Sequence, residues 1–405
     1  MALIVQKFGA TCLASPERIK AVARHVARWR LMGHDLVVVP SAMPGETNRL
    51  IALANALSHH PNPRELDVVA ATGEQVSIGL LAIALEAEGV RARSYTGTQA
   101  RLLTDSAFNE ASILRIENAS LHRDLADGFV VVVAGFQGVD ERGNITTLGR
   151  GGGDVSAVAL AAALQAEECQ IYSEADGVYT TDPAVVPEAR KLKRITFEEM
   201  LEMASLGSRV LQIRAVEFAG KHKVKLRVLS GAFNDADGTL ITVDDDFNME
   251  KPIISGITFN RDEAKVTVLG VPDRPGIAYQ VLGPIADARL DVDMIIQNQG
   301  QDGATDLTFT VHRSAYAQVR EIMERVAAHI GARQVIGDKG VCKVSAVGVG
   351  MRSHPGVASK MFRTLAEEGI NIQMISTSEI KISVVIDEKY LELAVRVLHR
   401  AFELD

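Results

Sequence analysis

The chain has 405 residues, of which 47% are apolar, and this is enough material for two or three globular domains. Its net charge of −8 argues against nucleic acid as a partner, and no run of about 18 uninterrupted apolar residues indicates a membrane span. The first residues, MALIVQKFG, have the pattern of a strand and not of a signal peptide. Cys12, Cys169 and Cys342 match no zinc or disulfide spacing, so we expect a cytoplasmic location.

The first part of the chain alternates strand-like and helical segments. ALIVQKFG predicts a first strand, and the next segment predicts an amphipathic helix with Ser15 as N-cap and Pro16 at its first position. DLVVVPSAM, FVVVVAGFQGV and CQIYSEADGVY predict buried strands, and DVSAVALAAALQA, apolar on nearly all sides, predicts an interior helix. This alternation indicates an α/β domain with a largely parallel sheet.

The pattern changes near residues 242–252, TVDDDFNMEKP, where a run of acids and a proline indicate a linker. Beyond it, the segments that begin at Lys265 and at Lys343 repeat one order: strand, loop ending in Pro-Gly, helix, and a strand containing Met-Ile. Each repeat is too small to carry much core alone, so we expect the two to pack together.

The segment TTLGRGGGD, which ends at Asp154, is the most unusual loop of the chain. It lacks the Gly-Lys-Ser/Thr of a Walker A motif, and Asp154 stands where the dinucleotide fingerprint needs its last glycine. Consecutive glycines expose backbone N–H groups to an anion at a helix N-terminus, and Arg150 can grip a carboxylate. Asp154 can cap the helix or face a cation. Taken alone, a glycine-rich turn with a capping aspartate is the simpler explanation.

Other polar residues follow predicted strands. They are Lys7, Ser41 in SAMPGETN, Glu74 at a helix start, and Tyr179 in DGVYTTDP. Each has an ordinary explanation: a surface strand end, a partner of the helix dipole, or a rim residue. Ligands of open α/β sheets bind outside the carboxyl ends of the strands, so the recurrence favours one shared site.

Together these segments resemble aspartate kinase (aspartokinase), of the monofunctional, lysine/threonine-regulated type, over essentially the whole chain. The resemblance is carried by VQKFGATC, SAMPGETNRLIALA, TGEQVSIGLL, SYTGTQARLLTDSAF, VVVAGFQGVDERGNITTLGRGGGD, the segment from ADGVYTTDP to RVLQIRAVEFA, and INIQMISTSEIKISVVI. It implies an amino-acid-kinase fold over residues 1–245, with a mostly parallel sheet and helices on both faces. Two ferredoxin-like α+β ACT domains would follow, at 250–335 and 336–405, with KPIISGITF belonging to either repeat.

The resemblance also implies the reaction. The γ-phosphoryl group of ATP would pass, with Mg²⁺, to the side-chain carboxylate of L-aspartate, in the first step toward lysine, threonine and methionine. Lys7 and Asp154 would be catalytic, and no protein metal ligand is assigned. Aspartate would be bound by Ser41, Thr47, Glu74 and Arg150. The nucleotide would be bound by Gly9, Gly151, Gly152, Ser173, Glu174, Tyr179, Asp182 and Arg209.

The ACT repeats imply regulation by lysine, threonine or both, and a homo-oligomer formed through these domains. The effector residues expected from the resemblance are Asp273, Gly276, Ile277, Gln297, Asn298, Ser376 and Thr377.

The chain departs from the family mainly on the phosphate side. Gly153 replaces a serine, Ala184 replaces an arginine and Arg209 replaces a lysine. A second hypothesis therefore stays open: a catalytically weak paralogue that acts as an amino-acid sensor or partner subunit, or serves a specialised pathway.

Overall fold

The computed structural model describes residues 2–207, 210–233, 237–243, 253–299, 303–354 and 356–405. Arg209 and most of the predicted linker lie outside this description. The chain forms two compact units: the first contains 1–179, 191–205 and 209–249, and the second contains 180–190, 206–208 and 250–405. The predicted domains run along the chain without interruption, whereas these units exchange two short segments.

The first unit contains twelve strands and eight α-helices among its described residues. The strands are β1 (Leu3–Phe8), β2 (Asp35–Pro40), β3 (Ala92–Tyr95), β4 (Leu102–Thr104), β5 (Ile113–Ile116), β6 (Val130–Val133), β7 (Gln137–Val139), β8 (Ile145–Thr147), β9 (Glu168–Ser173), β10 (Arg194–Thr196), β11 (Leu226–Ser230) and β12 (Thr239–Thr242). The helices are α1 (Pro16–Leu31), α2 (Glu46–Leu57), α3 (Pro63–Ala70), α4 (Thr72–Ala87), α5 (Ala119–Ala126), α6 (Gly152–Ala163), α7 (Phe197–Ser205) and α8 (Ile213–His222).

The main sheet of this unit has the order β10-β12-β11-β9-β1-β2-β6-β3. Every neighbouring pair is parallel except β11 and β12. A smaller sheet has the order β5-β4-β7-β8. The largely parallel α/β sheet expected from the alternation of segments is confirmed.

Residues alternate between the two faces of the main sheet. Ile4 and Phe8 of β1 share a buried cluster with Val22 of α1 and Leu81 of α4. The cluster fits the period of two in the strand and the amphipathic period of the helices. Lys7 points to the other face, against which α6 packs. The first strand therefore buries an apolar row on one side and offers a lysine on the other.

Local signals in the sequence predict two of the helices correctly. Pro16 begins α1, and the Ser15 hydroxyl accepts a hydrogen bond from the backbone N–H of Arg18 at 3.4 Å. The interior helix is α6, most of whose residues are buried.

The segment FVVVVAGFQGV forms two strands and not one. β6 ends at Val133 and belongs to the main sheet, whereas β7 begins at Gln137 and belongs to the smaller sheet. Phe136 between them has a φ of 67°, a left-handed conformation that breaks an extended run. The apolar composition gave no sign of this break.

One helical region, Pro63–Ala87, is long and apolar enough by composition to cross a membrane, and 44% of its most apolar window is buried inside the fold. It comprises α3 and α4, and Ile78, Leu81 and Leu85 of α4 lie in the same core as α1. Packing in the core of the first unit thus accounts for the apolar side chains on that face.

The second unit contains the two repeats. Its strands are β13 (Gly256–Pro272), β14 (Ile295–Gln299), β15 (Ala304–His312), β16 (Gln334–Val347), β17 (Ile372–Thr377) and β18 (Lys381–Asp387). Its helices are α9 (Ile277–Asp287), α10 (Tyr316–Ile330), α11 (Val357–Glu367) and α12 (Leu391–Ala401). The strands form one antiparallel sheet in the order β14-β15-β13-β16-β18-β17, so the two repeats do pack together.

The long strand β13 serves both repeats. Its residues 256–260 pair with 343–347 of the second repeat, and its residues 263–269 pair with β15 and with 334–341. The sequence left undecided to which repeat KPIISGITF belongs. Its residues 256–259 pair with the second repeat.

Candidate active site

Three strand ends meet at the carboxyl edge of the main sheet. β1 pairs with both β2 and β9, so that Lys7 lies beside Val39 on one side and Ile171 on the other. The backbone N–H of Ser41, just beyond β2, donates to the carbonyl of Phe8 at 2.9 Å. Parallel pairing therefore brings Lys7, Ser41 and the end of β9 to one edge, where a doubly wound sheet binds its ligand.

The Lys7 ammonium and the Asp154 carboxylate form an ion pair, with Nζ and Oδ1 2.7 Å apart. Both residues are 9% exposed. Asp154 lies in the first turn of α6, where the helix dipole also favours a carboxylate. The N-cap of α6 is Gly151, and no side chain of the described ranges caps the helix. The simple explanation of Asp154 as a capping residue is therefore wrong.

Glu74 is a buried carboxylate at the beginning of α4, 5% exposed. One oxygen accepts a hydrogen bond from the backbone N–H of Ala42 at 3.2 Å, and the other, Oε2, has no hydrogen-bond partner among the residues that the structure describes. Burial raises the pKa of Glu74 from 4.5 to about 7, although that hydrogen bond and the Lys7 charge oppose the shift. A buried oxygen with no partner is suited to a ligand that brings a positive charge or a donor.

The glycine loop packs next to this pair. Gly151 has a φ of 75°, which favours glycine. A β-carbon on Gly152 would lie 2.7 Å from that of Leu148, so a side chain there would clash. A β-carbon on Gly153 would instead lie at ordinary contact distances, 3.7 Å from Cε of Lys7 and 3.8 Å from the hydroxyl of Ser41. Gly153 therefore faces the site, where its missing side chain leaves room.

The other residues predicted to bind aspartate are more accessible. Arg150 is exposed on the glycine loop and, within the part of the chain that the structure describes, has no ion pair. Thr47 is half-buried in the first turn of α2. Arg150 is thus available to a ligand.

Two of the residues predicted to bind nucleotide lie at the ends of neighbouring strands. The backbone N–H of Gly9 donates to the carbonyl of Tyr172 at 2.8 Å, which fixes the loop after β1 beside the end of β9. Ser173 ends β9, and its hydroxyl donates to the carbonyl of Ala175 at 3.3 Å. Glu174 is exposed. Gly9 and Ser173 are therefore beside Lys7, at the same edge of the sheet.

Tyr179 is held by neighbouring charges. Its hydroxyl donates to Asp176 at 3.0 Å, and Lys191 donates to the second oxygen of Asp176 at 2.6 Å. Burial is the largest influence on the pKa of Asp176, but the two hydrogen bonds outweigh it and lower that pKa. Asp182 lies in the exchanged segment 180–190 of the second unit, where it is exposed and accepts from the backbone N–H of Ala184 at 2.9 Å.

Two residues that the sequence analysis missed hold the Arg150 loop. The fully buried carboxylate of Asp67 accepts hydrogen bonds from the backbone N–H of Asn109 at 3.0 Å and from the N–H and hydroxyl of Thr147 at 2.9 and 2.6 Å. The Arg214 guanidinium donates to the carbonyl of Leu148 at 2.6 Å. Asp67 could have been noticed as an acid on the apolar side of α3, but the sequence gives no sign of its partners.

The predicted effector residues fall at both edges of the second unit's sheet. Gln297 and Asn298 lie on the edge strand β14 and are exposed, whereas Ser376 and Thr377 lie on the opposite edge strand β17. In the first repeat, Asp273 lies on the loop before α9 and is exposed. Gly276 is the N-cap of α9, with a φ of 85°, and Ile277 is a core residue. The two sets are separated by the width of the sheet.

Comparisons with known proteins agree with this architecture. Residues 2–230 match the amino acid kinase family, and residues 265–331 and 344–402 each match an ACT domain. The fold and the site thus define an amino acid kinase with two ACT domains.

Among its relatives, the chain is 66% identical to an aspartokinase of Pseudomonas aeruginosa, over 100% of this chain and 98% of the relative. Its fold matches the structure of aspartate kinase from Synechocystis, with 42% identity and a TM-score of 0.56 over 99% of this chain and 69% of that one. E. coli aspartokinase III in complex with aspartate and ADP matches with 25% identity and a TM-score of 0.79, over 98% and 99% of the two chains. The chain belongs to the aspartokinase family and is a phosphotransferase.

Proposed function

We propose that this chain transfers the γ-phosphoryl group of ATP to the side-chain carboxylate of L-aspartate, forming 4-phospho-L-aspartate. The observation that carries the proposal is the buried Lys7–Asp154 ion pair beside Gly153, at the carboxyl edge of the sheet. Such a site can place a cation against a phosphate while the glycine backbone lets the phosphate approach. The complex of E. coli aspartokinase III with aspartate and ADP supports this choice of ligands.

On the acceptor side, Glu74 receives the ammonium group of aspartate. Its Oε2 atom is buried and lacks a partner within the described part of the chain, and an ammonium group would supply both the donor and the charge. Arg150 holds a carboxylate of the substrate, and Ser41 and Thr47 complete the pocket. These contacts hold the reacting carboxylate in a fixed orientation toward the phosphate, which lowers the entropic cost of the reaction.

On the phosphoryl side, an oxygen of the aspartate side chain attacks the γ-phosphorus as the bond to the ADP oxygen breaks. Lys7 neutralises the negative charge that develops on the transferred group and on the bridging oxygen. Asp154 holds the Lys7 ammonium in place within the site. Among the described residues no group of three or more His, Cys, Asp or Glu side chains is arranged to hold a metal ion. Mg²⁺ would then be held by the phosphates with Asp154 as a protein ligand, and it supplies further charge neutralisation when bound.

The ACT repeats make the enzyme responsive to lysine, threonine or both in this proposal. Exposed polar side chains lie on both edge strands of the sheet, and the backbone N–H of Asp273, before α9, donates at 3.0 Å to the carbonyl of Gly303, between β14 and β15. N–H groups at the start of α9 can receive the carboxylate of an amino acid. Oligomerisation through these domains is part of the same proposal.

A coupled assay of ATP turnover with L-aspartate tests the proposed function. We expect Lys7→Ala to lower kcat about 10²- to 10³-fold, as the loss of one donor to a developing charge does in other enzymes. Arg30→Ala is the matched control, because its ion pair with Asp35, at 2.7 Å, lies at the opposite end of β2. The control should stay within about twofold of the unmodified enzyme, since surface ion pairs contribute little to stability.

Wild-type turnover no greater than that of Lys7→Ala would exclude phosphoryl transfer. The remaining candidate function would be that of an amino-acid sensor or partner subunit. Gly153 and Ala184, which stand where the family has a serine and an arginine, favour this candidate. Binding of lysine or threonine without turnover would then identify that function.

A further inference from the structure

The segment Thr180–Arg190 follows directly after Tyr179, the last residue of the first unit before the exchange, yet belongs to the second unit. At its base, the backbone N–H of Thr180 donates to the carbonyl of Arg190 at 2.9 Å, and that of Arg190 donates to the Thr180 hydroxyl at 3.0 Å. The N–H of Ile257 donates to the Thr180 carbonyl at 2.7 Å. The segment is therefore a closed loop whose base is fixed to β13.

A buried histidine holds the same base from the other side. His399 of α12 is fully buried, and its Nε2 lies 2.8 Å from the Thr180 hydroxyl, while its Nδ1 lies 2.9 Å from the Asp405 carboxylate. Desolvation lowers the pKa of His399, against the effect of Asp405, so the ring is neutral at pH 7. Its single proton then lies on Nδ1, facing Asp405, and Nε2 accepts from the Thr180 hydroxyl.

Two further contacts fix the loop to the second repeat. The Arg190 guanidinium donates to the carbonyls of Leu404 at 3.0 Å and Glu403 at 3.2 Å. Val185 and Val186 are buried in one cluster with residues of α11, α12, β16 and β18. The loop is thus part of the core of the second repeat, although the chain reaches it from the strands of the first unit.

Fixing Thr180 also restricts Tyr179, because one peptide bond joins them. On the other side of the loop, Lys191 pairs with Tyr179 as an isolated bridge, so both ends of the loop re-enter the first unit at neighbouring positions. A change in the second repeat that moves His399 or residues 403–405 therefore has a short covalent path to the segment assigned to the nucleotide.

We propose that His399, Asp405 and Arg190 are positioning residues that set the affinity for nucleotide by fixing the base of the 180–190 loop to the second ACT repeat. This inference rests on the proposed function, since it takes Tyr179, which the resemblance assigns to the nucleotide, as a residue that binds ATP.

The test compares full-length variants in steady-state kinetics and in direct binding of Mg²⁺–ATP by calorimetry. Thr180→Val removes the hydroxyl and keeps the shape, and Arg190→Gln removes the two bonds to residues 403–404. We expect each to raise the KM and the Kd for ATP about fivefold or more, as the loss of a buried hydrogen bond worth about 1 kcal/mol does. The KM for aspartate should stay within about twofold of the wild-type value. Thr180→Ser keeps the hydroxyl, so its affinity for ATP should equal that of the wild type.

Asp387→Asn is the matched control. Its carboxylate accepts from the backbone N–H of Lys389 at 3.2 Å, in the turn before α12 and away from the loop. It should lower the stability of the second unit slightly and leave the KM for ATP unchanged. If Thr180→Val and Arg190→Gln lower stability as this control does but leave ATP affinity within twofold, the three residues are only structural and the inference is wrong. Failure of the wild-type enzyme to turn over ATP would instead refute the proposed function.

Discussion

The buried carboxylate of Glu74 makes the stability of the first unit depend on pH. In the unfolded chain its pKa is 4.5, and in the folded protein burial raises it to about 7. Between these values the folded state binds more protons than the unfolded state, so stability falls as the pH rises. Below pH 4.5 the carboxyl is neutral in both states and adds no penalty. Above pH 7 it is charged in both states, and the whole penalty is present.

The size of the effect follows from the shift. Each pKa unit corresponds to about 1.4 kcal/mol, so the full penalty is about 3 kcal/mol above pH 7. Glu74→Gln keeps an acceptor for the Ala42 N–H and removes the charge, so it should abolish this loss of stability. Relative to the wild type, the variant should gain about 3 kcal/mol between pH 4.5 and pH 8.

Urea unfolding of both proteins between pH 4.5 and pH 8 measures the difference. The chain has one tryptophan, Trp29 in α1, so its fluorescence reports on the first unit, which contains Glu74. Other titrating groups contribute equally to both proteins and cancel in the comparison. The same variant should raise the KM for aspartate, because the ammonium group loses its carboxylate.

A constant difference in stability between wild type and Glu74→Gln across this pH range would refute the reasoning. It would mean that Glu74 is solvated and titrates near 4.5, which contradicts a buried Oε2 that no described residue hydrogen-bonds. If Glu74→Gln were more stable than the wild type at low pH but not at high pH, the pH dependence would have the opposite sign, and this would also refute the reasoning.

Four further substitutions test the surroundings of the site and the second unit. Asp67→Asn should lower stability by about 1–3 kcal/mol and raise the KM for aspartate more than that for ATP, because its amide nitrogen turns a donor toward the donors that now bind the carboxylate and hold the Arg150 loop. Gly153→Ser should fold normally and lower the KM for ATP by adding a hydroxyl beside Lys7, whereas Gly152→Ser should be unstable because its β-carbon would clash with that of Leu148. Lys343→Ala should cost about 3–5 kcal/mol by leaving the Glu263 carboxylate, 3.0 Å away, buried without its cation.

Each of these has an outcome that contradicts it. If Asp67→Asn raised the KM for aspartate and the KM for ATP equally, the cause would be a general loss of structure and not a displaced Arg150 loop. Equal melting temperatures for the Gly152 and Gly153 variants would contradict the packing around the loop. For Lys343→Ala, the added change Glu263→Gln should recover part of the lost stability in chemical denaturation, and no recovery would show that the charge is not the cause.

Much of the architecture could be predicted from local patterns. The Ser15–Pro16 signal fixed the beginning of α1, and the apolar run after the glycine loop predicted the interior helix, because capping and periodicity depend on neighbouring residues. The sequence predicted FVVVVAGFQGV as one strand and missed the break at Phe136. Phe136 has a left-handed backbone and lies between β6, in the main sheet, and β7, in the smaller sheet, and strand pairing of this kind cannot be seen in a local pattern.

The site was determined at two levels. By itself, the sequence determined which chemical groups are available, Lys7, Glu74, Arg150 and Asp154, and that most of them follow strands or begin helices. Only the tertiary structure decided that Lys7 pairs with Asp154, that Asp67 holds the Arg150 loop, and that segment 180–190 belongs to the second unit. These facts depend on contacts between residues far apart in the chain, and the energy of a buried charge or hydrogen bond is set by the partners that the fold brings to it.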